Sequence, residues 1–160
     1  MTPVWTHDGH PAHEPHWQWA SFKLFGDMSG FGPCTTMGVQ HDGELVGVVV
    51  FHNFNRKAGV VEISGVSESP RWLSRSLLLA MFGYVFDKLG CQMAVMRVAE
   101  DDSRLMRILT AYGFDHIHLP RMRGRNEGEN LYTLTEEDWR GNGFHKQNQI
   151  PPSCSAAGGE

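Results

Sequence analysis

The sequence predicts a single α/β domain of the α+β kind, in which helices flank a mixed, mostly antiparallel sheet. Two β-branched runs meet at Asp42-Gly43, a third follows shortly after, and a strand–helix–strand unit occupies the middle of the chain. Asp-Gly suits the positive φ angles of a tight turn, so the first two runs should form a hairpin. The strands around the middle helix should be parallel, since such crossovers are almost always right-handed. A central parallel pair in an antiparallel sheet follows.

The composition limits the class of protein. The chain has 160 residues, of which 41% are hydrophobic and 20% charged, which is typical of one soluble globular domain. It has no apolar run of about 18 residues, so no membrane partner is expected. The net charge of -4 argues against binding nucleic acid through charge alone. Three widely spaced cysteines form neither a disulfide framework nor a CxxC metal site, which favours a reducing, cytoplasmic compartment.

Residues 1–16 are rich in histidine, proline and glycine. Four histidines lie there at intervals of three residues: His7, His10, His13 and His16. That spacing would align the imidazoles on a polyproline-type segment, which has about three residues per turn. A zinc site is one interpretation, but metal ligands usually need rigid support, and Pro15 opposes a helix. We expect a flexible His-rich arm without metal, followed by a domain over 17–139.

Periodicity predicts the remaining elements. The three antiparallel strands are expected at about 34–40, 44–52 and 59–67. A helix follows, because apolar residues recur at spacings of three and four, and it should end at Gly90; these residues are Leu73, Leu77, Ala80, Met81 and Tyr84. A buried strand at 91–99 precedes a second helix, which Asp102 or Ser103 should cap and Gly113 should end.

The C-terminal third is predicted to contain two strands and a tail. The strands fall at about 114–119 and 130–135, and the basic loop "PRMRGRNEGEN" separates them. Residues 140–160 have little apolar periodicity, so they should form a disordered tail.

The start of the middle helix, "VSESPRWLSRS", combines small hydroxyl side chains with cations. A helix start offers unpaired amides and about half a positive charge, so it suits a phosphate. Ser74 and Ser76 would let a pyrophosphate approach closely, and Arg71 and Arg75 would add charge-assisted hydrogen bonds. The alternative is that Ser69-Pro70 merely caps the helix and both arginines are solvated.

This segment resembles the cofactor loop of the GNAT N-acetyltransferases, Val-x-x-x-x-(Arg/Gln)-x-x-Gly-x-(Gly/Ala). Val66 ends the strand, Arg71 takes the Arg/Gln place, and Ser74 and Ser76 stand at the glycine places. The segment "DDSRLMRILTAYGF" is similar to the family's Asn-x-x-Ala-x-x-x-Tyr-x-x-x-Gly-Phe pattern. The phrases "GVVVFHN", "PRWLSRSLL" and "LYTLTEEDW" also resemble GNAT-like proteins of bacteriophages and prophages, which implies a bacterial, phage- or prophage-type protein.

The resemblance implies a GNAT domain over 17–139 that binds acetyl-coenzyme A where the parallel pair splays apart. The implied cofactor contacts are Ile63, Ser64, Gly65 and Val66 for the pantetheine arm, Arg71, Trp72, Leu73, Ser74, Arg75 and Ser76 for the pyrophosphate, and Asp102 and Arg104 on the next helix. The family's frequent tyrosine general acid falls at Leu109, which cannot give a proton. An N-acetyltransferase is therefore expected, and a cofactor-binding module with weak or no turnover is the alternative.

Catalysis would need a base, because an amine with a pKa near 10 must lose a proton before it attacks a thioester. Glu62, Glu68 and His52 are the candidates, and strand alternation puts Glu62 and Ser64 on one face. Tyr112 is a candidate acid for the leaving thiolate, although it also fits the apolar stripe of its helix. Glu62 ranks ahead of Glu68 and then His52, and the alternative for each is the ordinary one, a solvated side chain on a half-exposed strand.

The acceptor is expected to be a primary amine on a small molecule or a protein. Arg121, Arg123 and Arg125 could steer an acidic substrate or a nucleic-acid backbone, although Glu127 and Glu129 counter their charge. A homodimer is a further expectation, since an apolar face is available from Trp17, Trp19 and Phe22.

Overall fold

The computed structural model describes residues 1–145. Its strands are β1 (Thr2–Thr6), β2 (Cys34–His41), β3 (Glu44–Asn55), β4 (Val60–Ser67), β5 (Met93–Ala99), β6 (Asp115–Gly124) and β7 (Glu127–Thr135). Its helices are α1 (His13–Phe25), α2 (Arg75–Gly83), α3 (Ser103–Tyr112) and α4 (Glu136–Gly141), and a π-helical turn at Tyr84–Lys88 continues α2. None of the helices described is long and apolar enough to cross a membrane.

The seven strands form one sheet in the order β1-β2-β3-β4-β5-β7-β6. Every neighbouring pair is antiparallel except β4 and β5. These two pair in parallel only from Val60 and Met93 to Glu62 and Val95, and then they separate. The predicted fold class, a mostly antiparallel sheet with a central parallel pair and flanking helices, is confirmed.

The two faces of the sheet are covered differently. The main core packs the face that carries Val49, Phe51 and Ile63 against α2, the π-helical turn, α3 and α4. A smaller cluster packs the face that carries Val48 and Val50 against α1. Side chains that alternate along β3 and β4 therefore face either α1 or α2.

The predicted basic loop is wrong in its extent. β6 runs on to Gly124 and β7 starts at Glu127, so a two-residue turn replaces most of it. Gly124 and Glu127 face each other across this turn, and the register slips between Leu119 and Gly124. The hairpin is longer than its apolar residues suggest because backbone pairing continues where the side chains are polar.

The flexible N-terminal arm is also a wrong prediction, because its residues lie in regular structure. β1 forms an antiparallel ladder with β2, and α1 begins at His13. Pro3 is tolerated because β1 is an edge strand. Pro15 is tolerated because it lies in the first turn of α1, where an amide has no intrahelical partner.

Two of the four histidines dock α1 onto the sheet. The Oγ1 atom of Thr6 lies 3.1 Å from Nδ1 of His13, and Oγ1 of Thr36 lies 3.0 Å from Nδ1 of His16. The two threonine hydroxyls are 2.6 Å apart, which joins all four side chains in one buried network. His7 and His10 are exposed, and within residues 1–145 no group of three or more potential ligands could hold a metal ion.

We expect this network to make the protein sensitive to acid. Burial lowers the pKa of His13 and of His16. The unfolded chain therefore binds these protons more readily, and stability is lost as the pH falls below the unfolded pKa of about 6.5. Thermal unfolding should show a lower Tm at about pH 5.5 than at about pH 7.5. The difference should shrink in His16→Gln but not in His7→Gln, whose side chain is exposed; equal differences would contradict the prediction.

The predicted tail falls partly within the described residues. Arg140 and Gly141 complete α4, and Phe144 packs edge-on against Tyr112, with ring centroids 5.1 Å apart. Residues 140–145 thus continue the folded domain, because they cover aromatic side chains at the end of α3. The remaining residues of that prediction, 146–160, lie outside the described residues.

Candidate functional site

A notch opens in the sheet where β4 and β5 separate. Glu62 and Val95 are the last residues paired between them. Beyond that point Ile63–Ser67 pairs only with β3, so the edge facing β5 has no strand partner. Free amide and carbonyl groups at such an edge can hydrogen-bond an extended ligand that carries amide groups.

Two cavities meet at this notch, one on each face of the sheet. The cavity on the α1 face measures about 610 Å³, and the cavity on the α2 face measures about 510 Å³. They share the lining residues Leu24, Ile63, Gly65, Met96, Asp102 and Leu105. The two cavities therefore form one groove that passes through the sheet.

A polar cluster lines the groove on the α1 face. His52 and Glu62 are direct partners on β3 and β4, and Nε2 of His52 lies 4.0 Å from Oε1 of Glu62. The same Nε2 atom lies 2.9 Å from Oγ of Ser64, and Asn53 donates a 2.8 Å hydrogen bond to Oε2 of Glu62. The structure thus brings together two of the three candidate bases, His52 and Glu62, and the ring of His52 is buried.

The environment keeps His52 in a form that can accept a proton. Burial is the main cause that lowers the pKa of His52, Arg97 adds to this effect, and Glu62 opposes it. The imidazole is therefore mostly neutral near pH 7, so a ring nitrogen can act as a base. The adjacent carboxylate would stabilise the imidazolium that forms.

The other two candidate catalytic residues lie apart from this cluster. Glu68 is exposed and forms an ion pair with Lys23 of α1. Tyr112 is buried, its hydroxyl accepts a 3.1 Å hydrogen bond from Nε1 of Trp139, and it lies 2.8 Å from Nε2 of His145. Burial also raises the pKa of Tyr112, so both the contacts and the acidity favour a structural role.

Ser74 is the cap of α2, in place of the predicted Ser69-Pro70. Its Oγ atom accepts a 3.3 Å hydrogen bond from the amide of Leu77 and lies 2.9 Å from Oγ of Ser76. Arg75 and Ser76 open the helix, so their amides have no intrahelical acceptor. The guanidinium of Arg75 stacks over the ring of Phe144 at 4.8 Å, and Arg71 is exposed. The helix start keeps the positive potential that an anion needs.

Trp72 forms part of the wall of the groove on the α2 face. A Cβ atom at Gly47 would lie 2.5 Å from Cε3 of Trp72, and one at Gly65 would lie 3.4 Å from Cη2. The indole therefore rests directly on the backbone of β3 and β4. Two glycines at these places give it room, and the neighbouring Leu73 lines the same cavity.

The start of α3 adjoins the predicted phosphate loop. Asp102 caps α3 by accepting a 3.0 Å hydrogen bond from the amide of Leu105. Arg104 donates a 2.8 Å hydrogen bond from Nη2 to the carbonyl oxygen of Pro70. Both residues line the α2-side cavity together with Trp72 and Leu73, whereas Arg71 and Ser74 to Ser76 are not among its lining residues.

Sequence reasoning missed a charged cluster on the α1 side. The carboxylate of Glu129 is almost fully buried, and its two oxygens bind two arginines. Arg97 donates to Oε2 from Nε and Nη2 at 3.1 and 3.0 Å, and Arg123 donates to Oε1 from Nε at 3.2 Å. The feature of the sequence that could have indicated this cluster is Arg97, a charged residue inside the apolar run "CQMAVMRVA". Arg121 and Arg125 are exposed on the same hairpin.

Aromatic residues after the start of α1 border the same cavity. The rings of Phe25 and Phe31 have centroids 5.4 Å apart, and Phe31 lies 5.0 Å from the His52 ring. Both line the α1-side cavity together with Lys23 and Leu24. They were missed because α1 was not predicted. Of the residues expected to form a dimer face, Phe22 is exposed, whereas Trp17 and Trp19 are half-buried.

The fold is similar to that of solved acetyltransferases. Mutant forms of the spermidine/spermine N-acetyltransferase SpeG from Vibrio cholerae superpose with a TM-score of 0.61 at 16% identity, covering 68% of this chain and 70% of that chain. A chimera of Vibrio cholerae SpeG and hSSAT gives 0.61 at 16% identity, with coverage of 68% and 73%. No protein-family model and no curated protein matches the sequence. The chain therefore has the GNAT acetyltransferase fold.

Proposed function

We propose that this chain, which has the fold of the GNAT acetyltransferases, is an N-acetyltransferase that moves an acetyl group from acetyl-coenzyme A to a primary amine. The observation that carries the proposal is the groove through the β4–β5 notch, which has the His52–Glu62 pair on the α1 face and, on the α2 face, Trp72 and Leu73, which lead into the start of α2. The solved structures of the same fold include polyamine acetyltransferases, so a small amine is one candidate acceptor.

The residues along the groove fit acetyl-coenzyme A, which supplies the acetyl group as a thioester. The unpaired edge of Ile63 to Val66 can bind the amides of the pantetheine arm, and Trp72 and Leu73 give an apolar wall beside it. The amides and side chains of Arg71 to Ser76 can hold the pyrophosphate at the start of α2. Asp102 and Arg104 border this part of the groove.

The acceptor amine would enter from the α1 face. Its nitrogen forms a bond to the acetyl carbon while the bond from that carbon to sulfur breaks, and the sulfur leaves with the coenzyme. The proton that the nitrogen loses passes to Glu62 or His52, directly or through a water molecule. Glu68 and Tyr112 are assigned no proton transfer, because Lys23 holds the first and the second is engaged in the core.

The second candidate is a module that binds acetyl-coenzyme A with weak or no turnover. It is favoured by Leu109, which occupies the place of the family's general acid, is buried and has no proton to donate. Release of free thiol across a panel of amines separates the two functions. The bacterial cytoplasmic location, the phage-type origin, the homodimer and nucleic-acid binding through Arg121, Arg123 and Arg125 stay predictions from the sequence.

Binding of acetyl-coenzyme A is expected to raise the Tm of the protein by several degrees. A ligand at about 100 times its Kd adds about 2.7 kcal/mol to the free energy of unfolding. For a domain of this size, that increase raises Tm by several degrees. Ser76→Glu should remove most of the shift, because it places a carboxylate against the phosphates. The substitution leaves the N-terminal cap of α2 unchanged, because Ser74 provides that cap.

Ser76→Gln is the matched control, because it has the same size without the charge. It should keep most of the shift. No shift at millimolar acetyl-coenzyme A in the wild-type protein would refute the proposed function, and equal shifts in both variants would place the phosphates elsewhere.

A further inference from the structure

The cavity on the α1 face has charged groups of opposite sign on its two sides. Glu62 lies on β4 and pairs with Val95, whereas Arg97 lies two residues further along β5, where the strands have separated. Arg97 therefore stands across the opening from the Glu62 side, and Arg123 of β6 lines the same cavity. An acceptor that enters here meets a carboxylate on one side and two guanidinium groups on the other.

The arginine side carries one positive charge more than Glu129 neutralises, and Glu62 across the cavity also attracts Arg97. Glu129 is a single charge shared by two arginines, and its side chain is only 3% exposed, so it presents almost no carboxylate surface. The side chains of Arg97 and Arg123 are 46% and 38% exposed. Each guanidinium has five N–H donors, so donors remain on both after the bonds to Glu129. Guanidinium groups fixed in this way suit a carboxylate, which they can bind through two parallel hydrogen bonds.

The opposite side suits an amine. The side chain of Glu62 is 17% exposed, Asn53 holds one of its oxygens, and its other oxygen faces His52. These groups can hold an ammonium and then take its proton. Lys23, the other cation that lines the cavity, is paired with Glu68, and Asp102 is engaged as a helix cap.

We propose that the acceptor is a zwitterionic small molecule, an amine that also carries a carboxylate, with the amine at Glu62 and His52 and the carboxylate at Arg97 and Arg123. The proposal rests on the proposed function. A dicationic amine is disfavoured here, because its second ammonium would face the two guanidiniums. In the reaction the amine nitrogen gains the acetyl group and loses one proton to Glu62 or His52. The second proton that the ammonium nitrogen loses goes to the departing sulfur, directly or through a water molecule, so coenzyme A leaves as the thiol and the carboxylate is unchanged.

The test compares amines that differ only in the carboxylate. Lysine and cadaverine form one pair, and phenylalanine and phenethylamine form a second that can use the aromatic rings of Phe25 and Phe31. Each compound is titrated into protein saturated with coenzyme A, and binding is followed by calorimetry. We expect the amino acid of at least one pair to bind about tenfold or more tightly than its decarboxylated partner, as a lost charge-assisted hydrogen bond implies.

Arg97→Gln should reduce the preference for the amino acid in each pair. It should leave binding of phenethylamine unchanged and should tighten binding of cadaverine, whose second ammonium then faces one guanidinium fewer. Arg123→Gln should have the same effect, which guards against a folding defect in the first variant, and in each case the other arginine still pairs with Glu129. Arg125→Gln is the control, because Arg125 is exposed and does not line the cavity. Equal or tighter binding of the decarboxylated amines, or no binding of either amino acid, overturns the proposal. An acetyl-coenzyme A thermal shift that persists in that case would leave the proposed function standing.

Discussion

Replacing Glu62 by glutamine is expected to lower kcat by about 10²- to 10⁴-fold, the range that general base catalysis contributes. Glutamine keeps the size of the side chain and can still accept the hydrogen bond from Asn53. It can neither take a proton nor stabilise the imidazolium of His52, whose Nε2 lies 4.0 Å away. The measurement is thiol release with the most active acceptor, together with the Tm shift that acetyl-coenzyme A produces.

Two further variants make this prediction specific. Glu44→Gln removes an exposed carboxylate of β3 and should leave kcat unchanged. His52→Gln should lower kcat and should move the acidic limb of the pH profile, because burial places the pKa of His52 below its ordinary value of 6.5. If kcat stays within about twofold of wild type in both Glu62→Gln and His52→Gln, the pair is not the base.

Gly38→Ala is expected to lower the free energy of unfolding by about 1–3 kcal/mol, as overpacking of a well-packed site does. A Cβ atom at this position would lie 2.8 Å from Nε2 of His16 and closer still to its Cε1 atom. The imidazole cannot move away easily, because Thr36 holds its Nδ1 atom. Urea unfolding should show a lower midpoint with an unchanged m-value.

Gly141→Ala is the matched control, since an added Cβ atom there would meet nothing within 4 Å. It should change the free energy of unfolding by less than about 0.5 kcal/mol. In a His16→Ala background, Gly38→Ala should lower the free energy of unfolding by less, because the added Cβ atom no longer meets the imidazole ring. The same cost in both backgrounds would contradict the proposed cause.

Most of the sheet could be predicted because its strands carry local signals. The Asp42-Gly43 turn and the β-branched runs beside it indicated β2 and β3 directly. α1 had no such signal: its buried residues are His13, His16, Ala20 and Ser21, which give no apolar stripe. Periodicity cannot detect a helix that packs through small and polar side chains, and a strand as short as β1 gives a weak alternation.

The candidate site was predictable only where it depends on neighbouring strands. Alternation along β4 indicated the face of Glu62, and the β3–β4 hairpin fixes His52 opposite it. The Arg97–Glu129 contact depends instead on the pairing of β5 with β7, which joins residues far apart in sequence. A single sequence does not specify which residues of β5 and β7 lie opposite each other. The charge of Arg97 in a buried strand could therefore be noticed, but its partner Glu129 could not be predicted.

The short parallel ladder between β4 and β5 divides the sheet into two parts, β1 to β4 and β5 to β7, which few backbone hydrogen bonds join. Three residue pairs join β4 to β5, whereas β5 and β7 share seven. A pantetheine chain lying along Ile63–Ser67 would extend the ladder as a surrogate strand, with its amides in place of a peptide's. The bound coenzyme would then bridge β4 and β5. Backbone amides on both sides of the notch should therefore exchange hydrogen more slowly when the coenzyme binds.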